Sequence, residues 1–422
     1  MVYLILIDRK FPYLSGEPFL ENEIDEISKY FDKILIIPTD IKKNSIQTRK
    51  IKSTNVEIIL TETKSIKIRR IEYLFEGIKK TLLNYRKNKN IKKQLIDNIF
   101  TAASETISNH IITTLEKKYN FHKNDKIIFY SYWLYITSQI SINLSNYFSH
   151  KCITKCVSRA HRFDIYEERR GYLPMQEHLI KATNIIFPCS KDGENYLRNK
   201  YPHQKNKIIT SYLGTYDQGT TNIIDNEFIN IVSCSRLAPV KRVDLIIDSL
   251  KLLKNKNIKM TWTHLGGGEL YNHIKKRAYT ELSHFMTINL PGMIKNQEVY
   301  EYYKCHSINL FINVSSSEGL PVSIMEAISF GIPCIATNVG GTSEIVINDI
   351  NGYLLKENFK PQELANYILN LSKDKEKLNS FKLSARKLWE ERFQASTNYS
   401  NFSQKLLNLI EETKPSSKHN IS

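Results

Sequence analysis

The sequence predicts an α/β protein of two doubly wound domains, and three observations predict it. Short apolar runs such as Val2–Ile7, Asp32–Pro38 and Asp125–Tyr132 alternate with segments of helical periodicity along the chain. The alternation is made twice, restarting after the polar linker Thr215–Glu227. A chain of 422 residues is also too long for one ordinary core. The expected domains are 1–215 and 216–392, with a polar, disordered tail at 414–422.

Composition narrows the class. Apolar residues make up 41% and aromatics 11%, enough to fill cores and too many for a disordered chain. No run approaches the roughly 18 apolar residues of a membrane span. The start, MVYLILIDRKF, reads as a first buried strand and not a signal peptide, having no basic region ahead of a short apolar one. The six cysteines show no C-x-x-C pair and read as reduced thiols of a cytoplasmic protein, with no metal site. Cations exceed anions by 17, which favours anionic partners without choosing among nucleic acid, lipid and phosphorylated substrates. No aromatic stripe interleaved with basic residues, and no zinc pattern, supports nucleic acid.

In the first half, the loop after Val2–Ile7 passes through Gly16 and Glu17 into a helix periodic at Phe19, Ile24, Ile27 and Phe31. A loop leaving the first strand of a doubly wound sheet is a ligand position, although many such loops only connect. From Lys64 to Lys93 there are eleven Lys or Arg against Glu72 and Glu76, with apolar residues at helical spacing. That pattern fits a helix lying on an anionic membrane surface and fits equally a surface helix with one face in the core. Strand Ile153–Ala160 delivers His161 and Asp164 to the sheet's carboxyl edge. A lone histidine there is more often structural, but the edge is where ligand loops gather. Lys207–Tyr212 reads as the last strand of this half.

The second half opens with strand Phe228–Cys234, then Arg236 and Lys241 around a Pro-containing turn. Two cations at a strand's carboxyl end would neutralise a diphosphate, or would simply be solvated. Gly266, Gly267 and Gly268 follow Lys259–Leu265 and leave room for backbone to approach a ligand. The most informative stretch is Ile308–Glu344. A strand, Ile308–Val314, breaks at Ser315–Gly319, and Pro321 suits the first turn of helix Val322–Phe330, which Gly331 ends. Amides near Leu320, Val322 and Ser323, with the Ser323 hydroxyl and the helix dipole, suit a phosphate. Glu318 before the helix and Glu326 inside it are double acceptors for neighbouring hydroxyls. Glutamates eight apart are common, so the spacing alone is weak.

The whole string EGLPVSIMEAISFGIPCIATNVGGTSEIV is not weak. It resembles the E-x7-E donor signature of the retaining glycosyltransferases of family 4. GEPFLENEI and SRAH-x-FDIYEER resemble an exopolysaccharide-biosynthesis subgroup. The resemblance implies a GT-B fold, two facing Rossmann-like domains with a cleft between them, the last helix (393–413) returning to the first domain. It implies retaining transfer of a sugar from a nucleoside-diphosphate-sugar to a glycan or polyprenyl-linked acceptor. It also implies roles. Arg236 and Lys241 form a diphosphate clamp, Glu318 and His161 meet the sugar, and Glu326 holds the ribose. Gly214, Gly266, Met293, Ile294, Gly319, Leu320 and Ser323 complete the donor site. Gly16, Glu17 and Asp164 are the acceptor candidates. The absence of any D-x-D points to metal-independent chemistry without a cofactor. Departures from the family pattern are Ser15-Gly16 for paired glycines and Gly267 and Glu269 in the second glycine loop. Alternatives are a same-fold nucleotide-sugar 2-epimerase or phosphorylase, and a basic nucleic-acid binder.

Overall fold

The structure, a computed structural model, describes residues 1–14, 17, 19–42, 44–61, 66–83, 90–167, 171–221 and 228–412. Gly16, the tail 414–422 and residues 64, 65 and 84–89 of the basic stretch lie outside the described residues. The chain forms two compact units. The first comprises Met1–Cys189, Gly193–Ser211 and the residues from Ser396 on; the second comprises Ser190–Asp192 and Tyr212–Ala395.

The first unit runs β1 (Val2–Asp8), α1 (Leu20–Ile27), β2 (Lys33–Pro38), β3 (Val56–Ile58), α2 (Ile66–Leu83), α3 (Ile91–Lys118), β4 (Lys126–Ser131) and α4 (Ile136–Phe148). It continues with β5 (Ile153–Ala160), α5 (Arg162–Ile165), α6 (Gln176–Ala182), β6 (Ile185–Pro188) and α7 (Lys191–Lys200). All its strand pairs are parallel, in the order β3-β2-β1-β4-β5-β6. Strands covered on both faces must be apolar throughout, which is why Leu4–Ile7 and Ile34–Ile37 are fully buried instead of alternating.

The second unit repeats the plan with β7 (Phe228–Cys234), α8 (Asp244–Lys251), β8 (Lys259–Leu265), α9 (Tyr271–Leu282), β9 (Thr287–Gly292) and α10 (Asn296–Cys305). Then come β10 (Leu310–Asn313), α11 (Val322–Ser329), β11 (Cys334–Thr337), β12 (Gly352–Leu355), α12 (Pro361–Lys373) and α13 (Lys375–Arg392). Its parallel order, β12-β11-β10-β7-β8-β9, is the same arrangement. In each sheet the order reverses beside the first strand, between β1 and β4 and between β7 and β10. Doubly wound sheets bind ligands at that reversal, outside the carboxyl ends of the strands. The last helix, α14 (Ala395–Glu411), sets Phe402 against Tyr130 and Phe187 of the first unit, with ring centroids 5.4 and 5.0 Å apart.

Several local expectations are corrected. The basic stretch 64–93 is not one helix, since α2 ends at Leu83 and the long α3 begins at Ile91. Lys207–Tyr212 forms no strand; it lies along β6 through one parallel bridge, Ile186 to Ile208, and the amides of Ile209 and Ser211. The segment after β11 winds as a 3-10 turn, Gly340–Glu344. Strands β3 and β12 have no counterpart in the sequence reading, being three and four residues long.

Candidate functional site

In the second unit the reversal point is a set of loops held by backbone contacts. β7 ends at Cys234 and the chain turns through Pro239–Lys241 into Arg242, which is left-handed at φ 47°. The Arg242 guanidinium donates to the carbonyls of Val314 (2.8 Å), Ser315 (3.3 Å) and Glu357 (2.6 Å). It therefore ties the loop after β7 to the loop after β10. Sequence reasoning missed it, because its partners are carbonyls more than seventy positions away.

The consequence is that Lys241 reaches Glu318. Its Nζ lies 2.6 Å from Oε1, with side chains 24% and 10% exposed, and Asn313 Nδ2 donates to the same oxygen at 3.4 Å. Arg236 is not brought in the same way. Its side chain is 70% exposed and faces Glu269 at 3.5 Å, itself 54% exposed. Such a pair holds a long side chain only weakly.

The glycines explain how the loops come so close. A Cβ on Gly266 (φ 140°) would stand 2.0 Å from the Ser235 carbonyl oxygen, and one on Gly340 (φ 53°) 2.0 Å from that of Glu318. Gly341 N donates to Gly319 O at 2.7 Å. Gly266, expected beside the donor, gives up its side chain to the neighbouring Ser235 backbone. The missing Cβ of Gly214, another donor candidate, would meet Ala395 Cα at 2.5 Å, where Thr215 pairs with Gln394.

α11 starts after Pro321 with no side-chain cap. The amides of Leu320, Val322 and Ser323 donate to no protein acceptor among the described residues, and the helix dipole adds positive potential there. Glu326 is buried one turn inside. Its Oε1 accepts from Tyr300 (2.9 Å) and Asn296 (3.1 Å), and burial pushes its carboxyl up from the usual range against those two bonds. Ile294 is half-buried, while Met293 is 82% exposed and supplies backbone against Gly267. Together the group offers a cation, unpaired amides and two carboxylates, the donors and acceptors that a diphosphate and neighbouring hydroxyls require. Among the described residues, no group of three or more His, Cys, Asp and Glu is placed to hold a metal ion.

The first unit's reversal point is built from side chains distant in sequence. Glu17, at φ 38°, accepts from the amides of Lys10 (3.0 Å) and Phe11 (3.1 Å) and from Trp133 Nε1 (3.1 Å). Its carboxylate, an acceptor-site candidate in the sequence, staples the β1 loop to the β4 loop. Asp164 is fully buried, taking the amides of His161 and Leu134 at 2.6 Å each, so no substrate reaches it. Asp8 is also fully buried, with neither carboxylate oxygen hydrogen-bonded among the described residues, and burial beside Glu17 raises its carboxyl well above the usual range.

His161 packs between Tyr132 and Trp133, ring centroids 4.8 Å from each. Burial, with Arg159 nearby, pushes its imidazole down to about 3, opposed by a hydrogen bond to the Tyr132 backbone. The ring is therefore neutral at ordinary pH, and its buried Nε2 has no partner among the described residues. Beneath it, Arg159 and Glu23 form a fully buried ion pair at 3.1 Å, joined by Tyr130 OH, the Ser211 carbonyl and the face of Phe402 at 4.2 Å. Nothing in the sequence pointed to Glu23, which sits in an ordinary amphipathic helix.

Residues 220–388, less than half the chain, match the family described as Glycosyl transferases group 1. An uncharacterized glycosyltransferase of Methanocaldococcus jannaschii is 33% identical over 184 residues, 43% of this chain and 48% of that protein. The O-antigen biosynthesis glycosyltransferase WbnH of Escherichia coli is 27% identical over 183 residues, 43% of this chain and 49% of that one. The chain thus aligns with about half the length of these curated relatives. The crystal structure of Anabaena HepE in complex with UDP superposes with a TM-score of 0.64 over 97% of this chain and 100% of that one, at 15% identity. The fold is the GT-B α/β type that the sequence led us to expect.

Proposed function

We propose that this chain is a glycosyltransferase that moves a sugar from a nucleoside-diphosphate-sugar to a glycan or lipid-linked acceptor, with retention and without a metal ion, in the synthesis of a surface polysaccharide. The observation that carries the reading is the Lys241–Glu318 pair at the reversal point of the second sheet, immediately ahead of the uncapped start of α11. The match of residues 220–388 to group 1 glycosyl transferases and the likeness to WbnH support it. That HepE binds UDP in its crystal structure supports a uridine nucleotide among the donors to be tried first.

On this reading Lys241, the more exposed Arg236 and the amides of Leu320, Val322 and Ser323 bind the diphosphate. They stabilise the charge it gains as the bond to the sugar breaks, more strongly than in the ground state. Glu318, oriented by Lys241, accepts sugar hydroxyls, and Glu326 accepts the ribose diol through the face its two protein donors leave open. The acceptor hydroxyl attacks on the face the diphosphate leaves, and the leaving phosphate takes its proton. In the first unit, neutral His161 offers Nε2 as an acceptor for a substrate hydroxyl. The apolar stripe of α2, with its basic neighbours, would rest on an anionic membrane on its cytoplasmic side. Among the described residues no helix is long and apolar enough to cross one.

The test is a panel of nucleotide sugars scored by thermal stabilisation and by acceptor-dependent release of nucleoside diphosphate. A true donor at a hundred times its Kd adds about 2.7 kcal/mol. Lys241→Ala should fold normally and lose turnover by roughly 100- to 1,000-fold, the cost of removing one such donor. Full activity in that variant overturns the reading, and diphosphate release without acceptor points to an epimerase.

A further inference from the structure

Two residues of α10, Asn296 and Tyr300, decide which part of Glu326 stays available. They lie one turn apart, so their side chains leave the helix on one face. Both donate to the same carboxylate oxygen: Tyr300 OH reaches Oε1 at 2.9 Å and Asn296 Nδ2 at 3.1 Å. Asn296 Nδ2 also donates to Tyr300 OH, at 2.8 Å, which closes a triangle. The two hydrogens of the amide and the one of the phenol are then all used, and none is left to turn toward a ligand.

A carboxylate has roughly four lone-pair sites, shared equally between its oxygens. Asn296 and Tyr300 take those of Oε1, and Oε2 accepts from no protein donor among the described residues. What remains is one oxygen with room for two donors. The carboxylate cannot turn Oε1 outward in place of Oε2 without breaking both bonds. Its charge is held by the same pair, since burial pushes the carboxyl up and the bonds from Asn296 and Tyr300 push it down. Tyr300 in turn stays a phenol, because burial and the Glu326 charge both raise it. Solvent reaches the group from the start of α10, where Asn296 is exposed while Tyr300 and Glu326 are 9% and 7% exposed.

A vicinal diol brings two donors and fills both places on Oε2. A 2-deoxyribose brings one and leaves a buried anion short of a partner. A site built to bond a hydroxyl rejects the analogue lacking it far more strongly than an apolar pocket rejects a missing methylene.

We propose that Asn296 and Tyr300 are positioning residues that make this site selective for nucleotides of ribose over those of 2-deoxyribose, by presenting Oε2 alone to the two sugar hydroxyls. The proposal rests on the reading of Glu326 as the ribose acceptor and adds which nucleotides that acceptor refuses.

Binding of UDP, GDP, ADP and their 2′-deoxy forms to the full chain is measured by calorimetry, with inorganic pyrophosphate as the probe of the phosphate contacts alone. The best-bound ribonucleotide is expected to exceed its deoxy form by roughly tenfold or more, the loss of one hydrogen bond to a charged group. Tyr300→Phe keeps the ring, which packs 6.2 Å from that of Phe330, so its urea midpoint should stay near the parent's. It frees a place on Oε1 and favours the protonated carboxyl, and the ratio should fall to about threefold or less. Asn296→Ala should lower the ratio in the same direction, and pyrophosphate should bind both variants as it binds the parent. Tyr303→Phe is the control: it removes a hydroxyl as deeply buried on the same helix, one with no hydrogen-bond partner among the described residues, and its ratio should equal the parent's.

A ratio near one in the parent, an unchanged ratio in Tyr300→Phe, or an equal fall in Tyr303→Phe overturns the proposal while leaving the transfer reading in place. A chain that prefers ribose by the expected margin but releases no diphosphate to any acceptor loses the transfer reading and keeps the selectivity. If no ribonucleotide binds, both fall.

Discussion

Both sheets reverse their order at one point, and the two reversal points are built differently. In the second unit the polar groups come from short loops and one helix start, and they stay partly accessible: Lys241 on Glu318, Arg236 in solvent, free amides at α11. In the first unit the polar groups are buried against one another. Glu17 is filled by three donors, Asp164 by two amides, and Glu23 by Arg159 and Tyr130. One edge keeps its hydrogen-bonding capacity for something else, and the other spends its own on holding loops. Among the described residues, a cavity lined by Trp133, Tyr135 and Phe163 is what stays accessible there, while Nε2 of His161 is buried without a partner.

The comparison is broken most sharply at Arg159. Arg159→Met leaves the Glu23 carboxylate buried without its cation, and the expected loss is about 3–5 kcal/mol in a urea titration. Arg236→Ala, at the open edge, should change the same midpoint by less than about 0.5 kcal/mol. A small loss at Arg159 would mean that the first edge is not braced by its charges.

A pH series sharpens it next. His161 is held down to about 3, and His264, buried on β8, to about 4, in each case chiefly by burial. Both are neutral in the fold and protonate near 6.5 once unfolded. The unfolded chain therefore binds more protons, and stability falls as pH drops through 6.5 toward those folded values. At pH 5.5 each costs roughly 1.4 kcal/mol relative to pH 8. The His161→Asn and His264→Asn variants should each show a flatter profile, read from denaturation midpoints at the two pH values.

An effect of similar size is expected at Glu326. The Gln variant keeps its Tyr300 contact and loses a charged acceptor for the ribose, present in ground and transition states alike. Donor KM should rise roughly tenfold, about 1.4 kcal/mol, with kcat little changed. An equal fall in kcat and kcat/KM would move Glu326 to the reacting bond.

How much was legible follows from the same contrast. Ile308–Glu344 could be read because its strand, turn, helix and glycine stop lie in one run, and local rules act on neighbours in sequence. β10 came out shorter at both ends than Ile308–Val314, and α11 one residue shorter than Val322–Phe330. Gly266 and Gly214 were recognisable as positions needing no side chain, but not what takes the vacated space, since Ser235 and Ala395 are remote in sequence. Asp164 read as an acceptor candidate because nothing local says that the Leu134 amide will close on it. The apolar stripe of α2 was visible in its spacing. Its outward direction was not, because that depends on α3 taking the Gly77 side.

The sequence by itself determined the two α/β units, the strands too apolar to face water and the helix start after Pro321, because periodicity and turn chemistry act between residues a few positions apart. Tertiary structure alone decided which charges are spent inside and which are left over. A carboxylate's partner is whatever donor the packing of distant strands brings within 3 Å, and burial then fixes its charge.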